Sequence, residues 1–423
     1  MIQIPLSRPD ISKHEIDAVN EVLATPYLSM GPKLIEFEKK LAQYLGVKYT
    51  VVVNSGTAAL HLAMKSIGVM EDDEIITTPF SFIASANCAL YINAFPRFID
   101  INREDFNIDP NKITEFIEQD CYVDVNNGFL INKNSKKRVK AILLVHVFGE
   151  PCKMDSILQL AKRYSLDVIE DACEALGTEY KNQKVGSFGK VGVVAFYPNK
   201  QITTGEGGAI LTNDYRIQKL CRSYRNQGRA ENDHWLNHER LGYNYRLSDI
   251  NCALGIAQLD RIKEILSKRE NIAKLYHEKL KDSEDINIPD TQLNVKKSWF
   301  VYVIQLTEKF SIEDRNEIIN GLRAKGIDCR NYFSPIHLQP LYRSMFGYQE
   351  GDFPVTEYVS ERTIALPFFN SISQNQINHV VFCLKQEIRK INNKHRIILE
   401  EIKKGCDLGA DLEQTYFLCK SDF

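Results

Sequence analysis

Between residues 49 and 212, short apolar runs rich in β-branched residues alternate with segments of helical spacing, and this rhythm restricts the fold more than any other feature. Residues 49–53 (Tyr-Thr-Val-Val-Val) read as a strand and 57–67 as the helix after it. Further strands are expected at 74–77, 94–101, 139–147, 167–170, 191–196 and 208–212, with helices at 85–91 and 154–164. Strands alternating with helices predict a mostly parallel sheet covered on both faces.

The Asn- and Lys-rich stretch 120–137 interrupts the rhythm and reads as a surface insertion. A long helical pattern over 247–280 suits a connector leading out of the large domain, and 299–305 is a clear strand of a smaller α+β domain. The expected division is a large domain over 13–262 and a small C-terminal domain over 263–404. The N-terminal segment 1–12 joins the small domain, and the tail 405–423 is assigned no role. A net charge of −2 offers no electrostatic reason for nucleic acid or a membrane surface as partner. The ten cysteines include no C-x-x-C pair, so reduced thiols are expected rather than a metal site or a disulfide framework. No basic region followed by a long apolar stretch opens the chain, and the apolar run 141–148 is too short to span a bilayer. A cytoplasmic protein is the expectation.

Open parallel sheets bind ligands beyond the carboxyl ends of their strands, so residues just past strand ends matter most. Asn54-Ser55-Gly56-Thr57 follows a strand and opens a helix, where free N–H groups and the helix dipole favour a phosphate. Gly56 lets backbone approach, and Ser55 and Thr57 offer hydroxyls; the same run also suits an ordinary helix cap. Asp171 ends the run Val168-Ile169-Glu170-Asp171, placed to meet a pyridinium nitrogen or to cap a helix. Lys200 sits in a loop between two apolar strands with Gly205, Gly207 and Gly208 behind it, a context that presses a lysine amine against a ligand. Phe82, in Thr78-Pro79-Phe80-Ser81-Phe82, offers a ring for stacking on a flat heterocycle, with core packing as the competing account.

Taken together with Gly242-Tyr243-Asn244-Tyr245-Arg246, these motifs resemble the DegT/DnrJ/StrS sugar-nucleotide aminotransferases, a group of fold-type-I pyridoxal-phosphate enzymes. The resemblance runs from the Pro5 region to about Leu384 and implies an aspartate-aminotransferase-like α/β large domain with a mostly parallel, seven-stranded type of sheet. It implies that Lys200 is the Schiff-base lysine, Asp171 the pyridinium partner and Phe82 the stacking ring. Ser55, Gly56 and Thr57 would hold the phosphate, and Glu174 would lie near the ring hydroxyl. Asn244 would reach the phosphate of a neighbouring subunit, making a homodimer with shared sites the minimal active unit. Arg229 and Arg246, from a run that also holds Arg222, Arg225 and Arg240, would meet the nucleotide diphosphate; Arg330, Tyr332 and His337 resemble the segment closing over substrate. Two departures stand out: Ala195 replaces a phosphate-binding Ser, and 120–137 is longer than in many members. A dehydratase branch carries His in place of the lysine, which Lys200 argues against.

The implied activity moves an amino group, from glutamate, onto a nucleotide-linked keto sugar, foremost a 4-keto-6-deoxyhexose, in cell-surface polysaccharide or glycan synthesis. Alternatives are a 3-keto sugar, a cyclic polyol ketone, or a non-catalytic regulatory protein of the same fold.

Overall fold

The computed structural model describes residues 3–230, 237–290 and 294–407. The alternation becomes a seven-stranded sheet built from Tyr49–Val53 (β1), Glu74–Thr77 (β2), Phe95–Phe98 (β3), Val139–Val145 (β4), Asp167–Asp171 (β5), Val191–Ala195 (β6) and Gly208–Thr212 (β7). Their spatial order is β1-β7-β6-β5-β4-β2-β3. β3, β2, β4, β5 and β6 pair in parallel, whereas β7 runs antiparallel between β6 and β1. Period-two alternation covers both faces. Val51 and Val53 pack into a core with Leu60 and Ile210, while Val52 packs on the other side with Phe37, Leu41 and Leu211.

The second core lies around Ile286–Asn287 (β8), Tyr302–Leu306 (β9) and Thr363–Leu366 (β10), an antiparallel sheet in that order. Tyr276, Ile304, Leu322 and Leu384 fill it from β9 and from helices Ile262–Leu280, Ile312–Ala324 and Gln374–Asp407. The N-terminal segment joins this part. Buried Ile4 accepts from Asp328 N at 2.9 Å and donates to Gly326 O at 2.9 Å.

Two readings change in detail. The pattern over 247–280 is two helices, Asp249–Asp260 and Ile262–Leu280, with Arg261 (φ −96°, ψ 7°) between them. That break lets Arg261 meet Glu15 at 2.8 Å and Asp10 at 3.2 Å. The stretch 120–137 is a hairpin, Cys121–Val123 with Leu130–Asn132, and it is not wholly superficial. Asn132 is buried and donates to Glu74 Oε2 at 2.8 Å. The C-terminal helix runs to Asp407, past the expected end of the small domain, and residues 408–423 of the proposed tail lie outside the described residues. No described helix is long and apolar enough to cross a membrane.

Side-chain alternation sends the adjacent carboxylates Glu170 and Asp171 to opposite faces of β5. Glu170 is fully buried and accepts from Gly186 N (2.7 Å), Phe188 N (2.7 Å) and Gly189 N (2.6 Å). His146 Nδ1 accepts from Cys152 N, so its Nε2 carries the proton and donates to Glu170 Oε2 at 3.1 Å. One carboxylate thus binds the 186–189 loop to the sheet. Glu170→Ala leaves four donors, two buried and two partly buried, without this acceptor and is expected to cost about 3–5 kcal/mol, measured as a lowered urea midpoint with an unchanged slope; a loss under about 1 kcal/mol would contradict the anchor.

Candidate active site

Three strand ends bring the predicted residues to one edge. β1 runs into helix Gly56–Ser66, β5 ends at Asp171, and β6 leads into the 196–207 loop carrying Lys200. Because β7 returns antiparallel, that loop stays on the same edge. β1 and β5 are three strand spacings apart, roughly 14 Å. The cavity between them measures about 520 Å³ and includes Ser55, Gly56, Thr57, Phe82, Asp171, Glu174, Lys200 and Tyr332 in its lining.

The mostly buried Lys200 amine stands 3.9 Å from the Phe300 ring centroid and 3.6 Å from Glu174 Oε1. Glu174 Oε2 accepts from Phe148 N at 2.9 Å. Burial pushes the Glu174 carboxyl above its ordinary value, against the opposing pull of the Lys200 ammonium and the Phe148 N–H. Asp171 Oδ1 accepts from Cys173 N at 3.1 Å and Oδ2 from Ser85 Oγ at 3.2 Å. No helix follows Asp171 directly, so the helix-cap alternative is not realised; the carboxylate closes a turn and lines the cavity.

Ser55 is the N-cap of Gly56–Ser66, its Oγ accepting from Ala58 N at 3.0 Å. Cap and anion ligand are compatible, because the hydroxyl still has its own proton to donate. The N–H groups of Gly56 and Thr57, at the first helical positions, have no intrahelical acceptor. A Cβ on Gly56 would lie 2.7 Å from Ala195 Cβ, so only glycine fits this approach. Phe80 and Phe82 divide their two roles. Phe80 is fully buried against Phe106, Phe148 and Phe333, whereas Phe82 is 61% exposed at the cavity.

The tentative substrate residues scatter. Tyr332 lines the cavity, its hydroxyl pushed up by burial and by Glu174. His337 is fully buried, 3.0 Å from Glu357 and edge-on to Phe353, and does not line the cavity. Arg330 pairs with Asp328 at 3.0 Å beside a separate groove shared with Arg8 and Arg323. Arg246 donates to Asn226 and Gln227, and Arg229 forms a bridge with His238; neither lines this chain's cavity. Arg222 and Arg225 are engaged by Glu38 at 2.7 and 2.6 Å. Asn244 is exposed, also outside the cavity. Ser85, Phe300, Asn331 and Phe333 also line the cavity without having been singled out. Ser85 had a signal, its position on a helix after β2; Phe300 had none, arriving from the segment that leads into β9.

The profile of the DegT/DnrJ/EryC1/StrS aminotransferase family matches residues 9–385. The chain belongs to this family. It is 36% identical over 345 residues to the UDP-4-amino-4,6-dideoxy-N-acetyl-beta-L-altrosamine transaminase of Campylobacter jejuni, covering 81% of this chain and 87% of that protein. It is 34% identical to the GDP-perosamine synthase of Escherichia coli O157:H7, over 90% of this chain and 97% of that one. Among solved structures, Helicobacter pylori PseC, described as an aminotransferase of pseudoaminic acid biosynthesis, superposes with a TM-score of 0.83 at 30% identity, covering 92% of this chain and all of PseC. The family's fold is the fold-type-I architecture seen here, and its aminotransferases depend on pyridoxal 5′-phosphate. The cavity fits that group: an amine, a carboxylate beyond a strand end, an exposed ring and a side-chain-free helix N-terminus surround one space.

The Gly56 contact yields a direct test. Gly56→Ala forces Ala195 or the helix N-terminus to move, and pyridoxal phosphate affinity should fall at least about tenfold, with about 1–3 kcal/mol of stability lost. Cofactor titration of the apoprotein measures this, and unchanged affinity would show that the N-terminus does not hold the phosphate.

Proposed function

We propose that this aminotransferase moves an amino group from glutamate to a nucleotide-linked 4-keto-6-deoxyhexose for surface polysaccharide or glycan synthesis. The observation that carries the reading is Lys200, set over Phe300 and beside Glu174 in the cavity that also holds Asp171. The sugar class draws support from the 36% identical transaminase, whose name specifies an amino group at carbon 4 and a deoxy carbon 6. Amination of a 4-keto-6-deoxy sugar yields that pattern by atom balance.

Bound in the cavity, pyridoxal phosphate supplies an electron sink that lets a proton leave the carbon bearing the amino group. Asp171, which accepts from Ser85 on Oδ2, would hold a proton on the ring nitrogen. Phe82 would stack on the ring, Glu174 would meet its hydroxyl, and Ser55, Gly56 and Thr57 would hold the phosphate. Ala195 brings no hydroxyl, so more of the phosphate falls to the helix N-terminus. Lys200 Nζ would be the group that holds the cofactor, and its free amine would take the proton from the donor's Cα and return one to the sugar carbon. Tyr332 lines the same cavity.

The pyridoxamine form, mixed with a panel of nucleotide keto sugars, should regain the aldehyde form's absorption fastest with a 4-keto-6-deoxy substrate. Preference for a 3-keto sugar or a cyclic polyol ketone would overturn the assignment of substrate.

Asn244, Arg229 and Arg246 lie outside their own cavity, which supports a homodimer in which they serve the partner's site. Exposed Tyr91, Leu241 and Met30 suit such an interface. Lys200→Ala should be inactive, and Asn244→Asp weak, because a carboxylate repels the phosphate. Refolded together, the two variants should exceed either alone, since one site of each mixed dimer receives both native residues. Activity equal to the average of the parents would refute shared sites.

A further inference from the structure

Arg269 belongs to none of the motifs and does not line the cavity. It stands on helix Ile262–Leu280 and is almost fully buried. Nη2 donates to Lys200 O at 3.1 Å, and Nη1 donates to Trp299 O and Phe300 O, both at 3.3 Å. The guanidinium lies 5.5 Å from the centroid of the Phe368 ring and bonds no carboxylate among the described residues. Burial pulls it down to about 10, with the Asp10 charge acting the other way, so it remains charged at neutral pH.

A buried cation without a bonded counter-ion is expensive, and neutral carbonyls recover only part of its hydration. The three carbonyls it gathers are not arbitrary. One belongs to Lys200 itself; another belongs to Phe300, whose ring carries the Lys200 amine at 3.9 Å. The third belongs to Trp299, held at φ 49° in the left-handed region, with its indole donating to Glu270 at 2.7 Å. Successive residues of one helix therefore grip the segment under the lysine from two sides. Gln201 adds a parallel tie, donating to Glu174 O at 2.7 Å and Ser298 Oγ at 2.9 Å.

We propose that Arg269 is a positioning residue for amino transfer: by clamping the carbonyls of Lys200, Trp299 and Phe300, it sets where the Lys200 amine stands over Phe300 and beside Glu174. The proposal rests on Lys200 being the cofactor-bearing lysine. An arginine fork holds carbonyls on two segments in one fixed geometry, whereas the rotatable ammonium of a lysine on its flexible stem fixes them less. Displacement of a reacting group by about 1 Å can cost on the order of 10²-fold in rate.

The test compares wild-type holoenzyme with Arg269→Lys. Borohydride reduction and peptide mass analysis first locate the cofactor; an adduct away from Lys200 in the wild type overturns the Lys200 reading and this proposal with it. With the adduct on Lys200 in both proteins, kcat should fall about 10- to 100-fold while KM for glutamate changes less than about threefold. The pH midpoint of the cofactor's visible absorption should shift by about half a unit or more. A lower unfolding temperature with wild-type kcat and an unmoved midpoint would mean that Arg269 only stabilises the helix–strand junction. If Arg269→Lys fails to fold, Phe300→Leu retains the clamp but removes the ring, and an unmoved midpoint with kcat within about twofold of wild type overturns the proposal.

Discussion

The antiparallel insertion of β7 between β1 and β6 is the constraint on which the site depends. A parallel strand in that place would require a crossover, carrying the chain away from the carboxyl edge before it returned. Running antiparallel, β7 lets residues 196–207 turn back at that edge, with Lys200 between the exits of β1 and β5. The turn is tight where β7 begins. A Cβ on Gly208 would stand 2.6 Å from Ser55 O and 2.7 Å from Gly56 N, so the start of β7 and the turn after β1 fit only without a side chain.

The second wall of the cavity comes from late in the chain and packs on the core of the large sheet. Phe300, Tyr332 and Phe333 reach the cavity from around β9 and from the segment before β10. Phe148 joins them to the large sheet, its ring 5.3 Å from Phe333 and its N–H on Glu174. The Lys200–Glu174 pair is largely buried, where charge matters more than at the surface. Burial accounts for the raised Glu174, against the opposing pull of the Lys200 ammonium.

Capping and a place at the cavity, which the sequence presented as rivals, coexist in single residues. Ser55 caps a helix and Asp171 closes a turn, and both line the cavity. The arginine-rich run is the opposite case. Arg222 and Arg225 look like phosphate ligands by composition, yet Glu38 engages both, and Arg225 also donates to Val52 O at 2.7 Å. Charge density along a chain does not reveal which charges a buried acid will absorb.

The seven strands, the turn after β1, Asp171 and Lys200 were legible because each is local: a strand's periodicity, a glycine after it and a polar residue at its end lie within a few positions of one another. Family resemblance added the roles, since those motifs recur in order along most of the chain. Tertiary structure alone decided the rest. His337 carries a polar label yet sits in an aromatic pocket against Glu357, because burial depends on what the fold places around it. Phe300 and Arg269 lie 100 and 69 residues beyond Lys200, with no periodic signal linking either to it. They meet the lysine because helix Ile262–Leu280 and the segment leading into β9 pack against the loop after β6, and a contact between distant segments is a property of packing rather than of either segment's own residues.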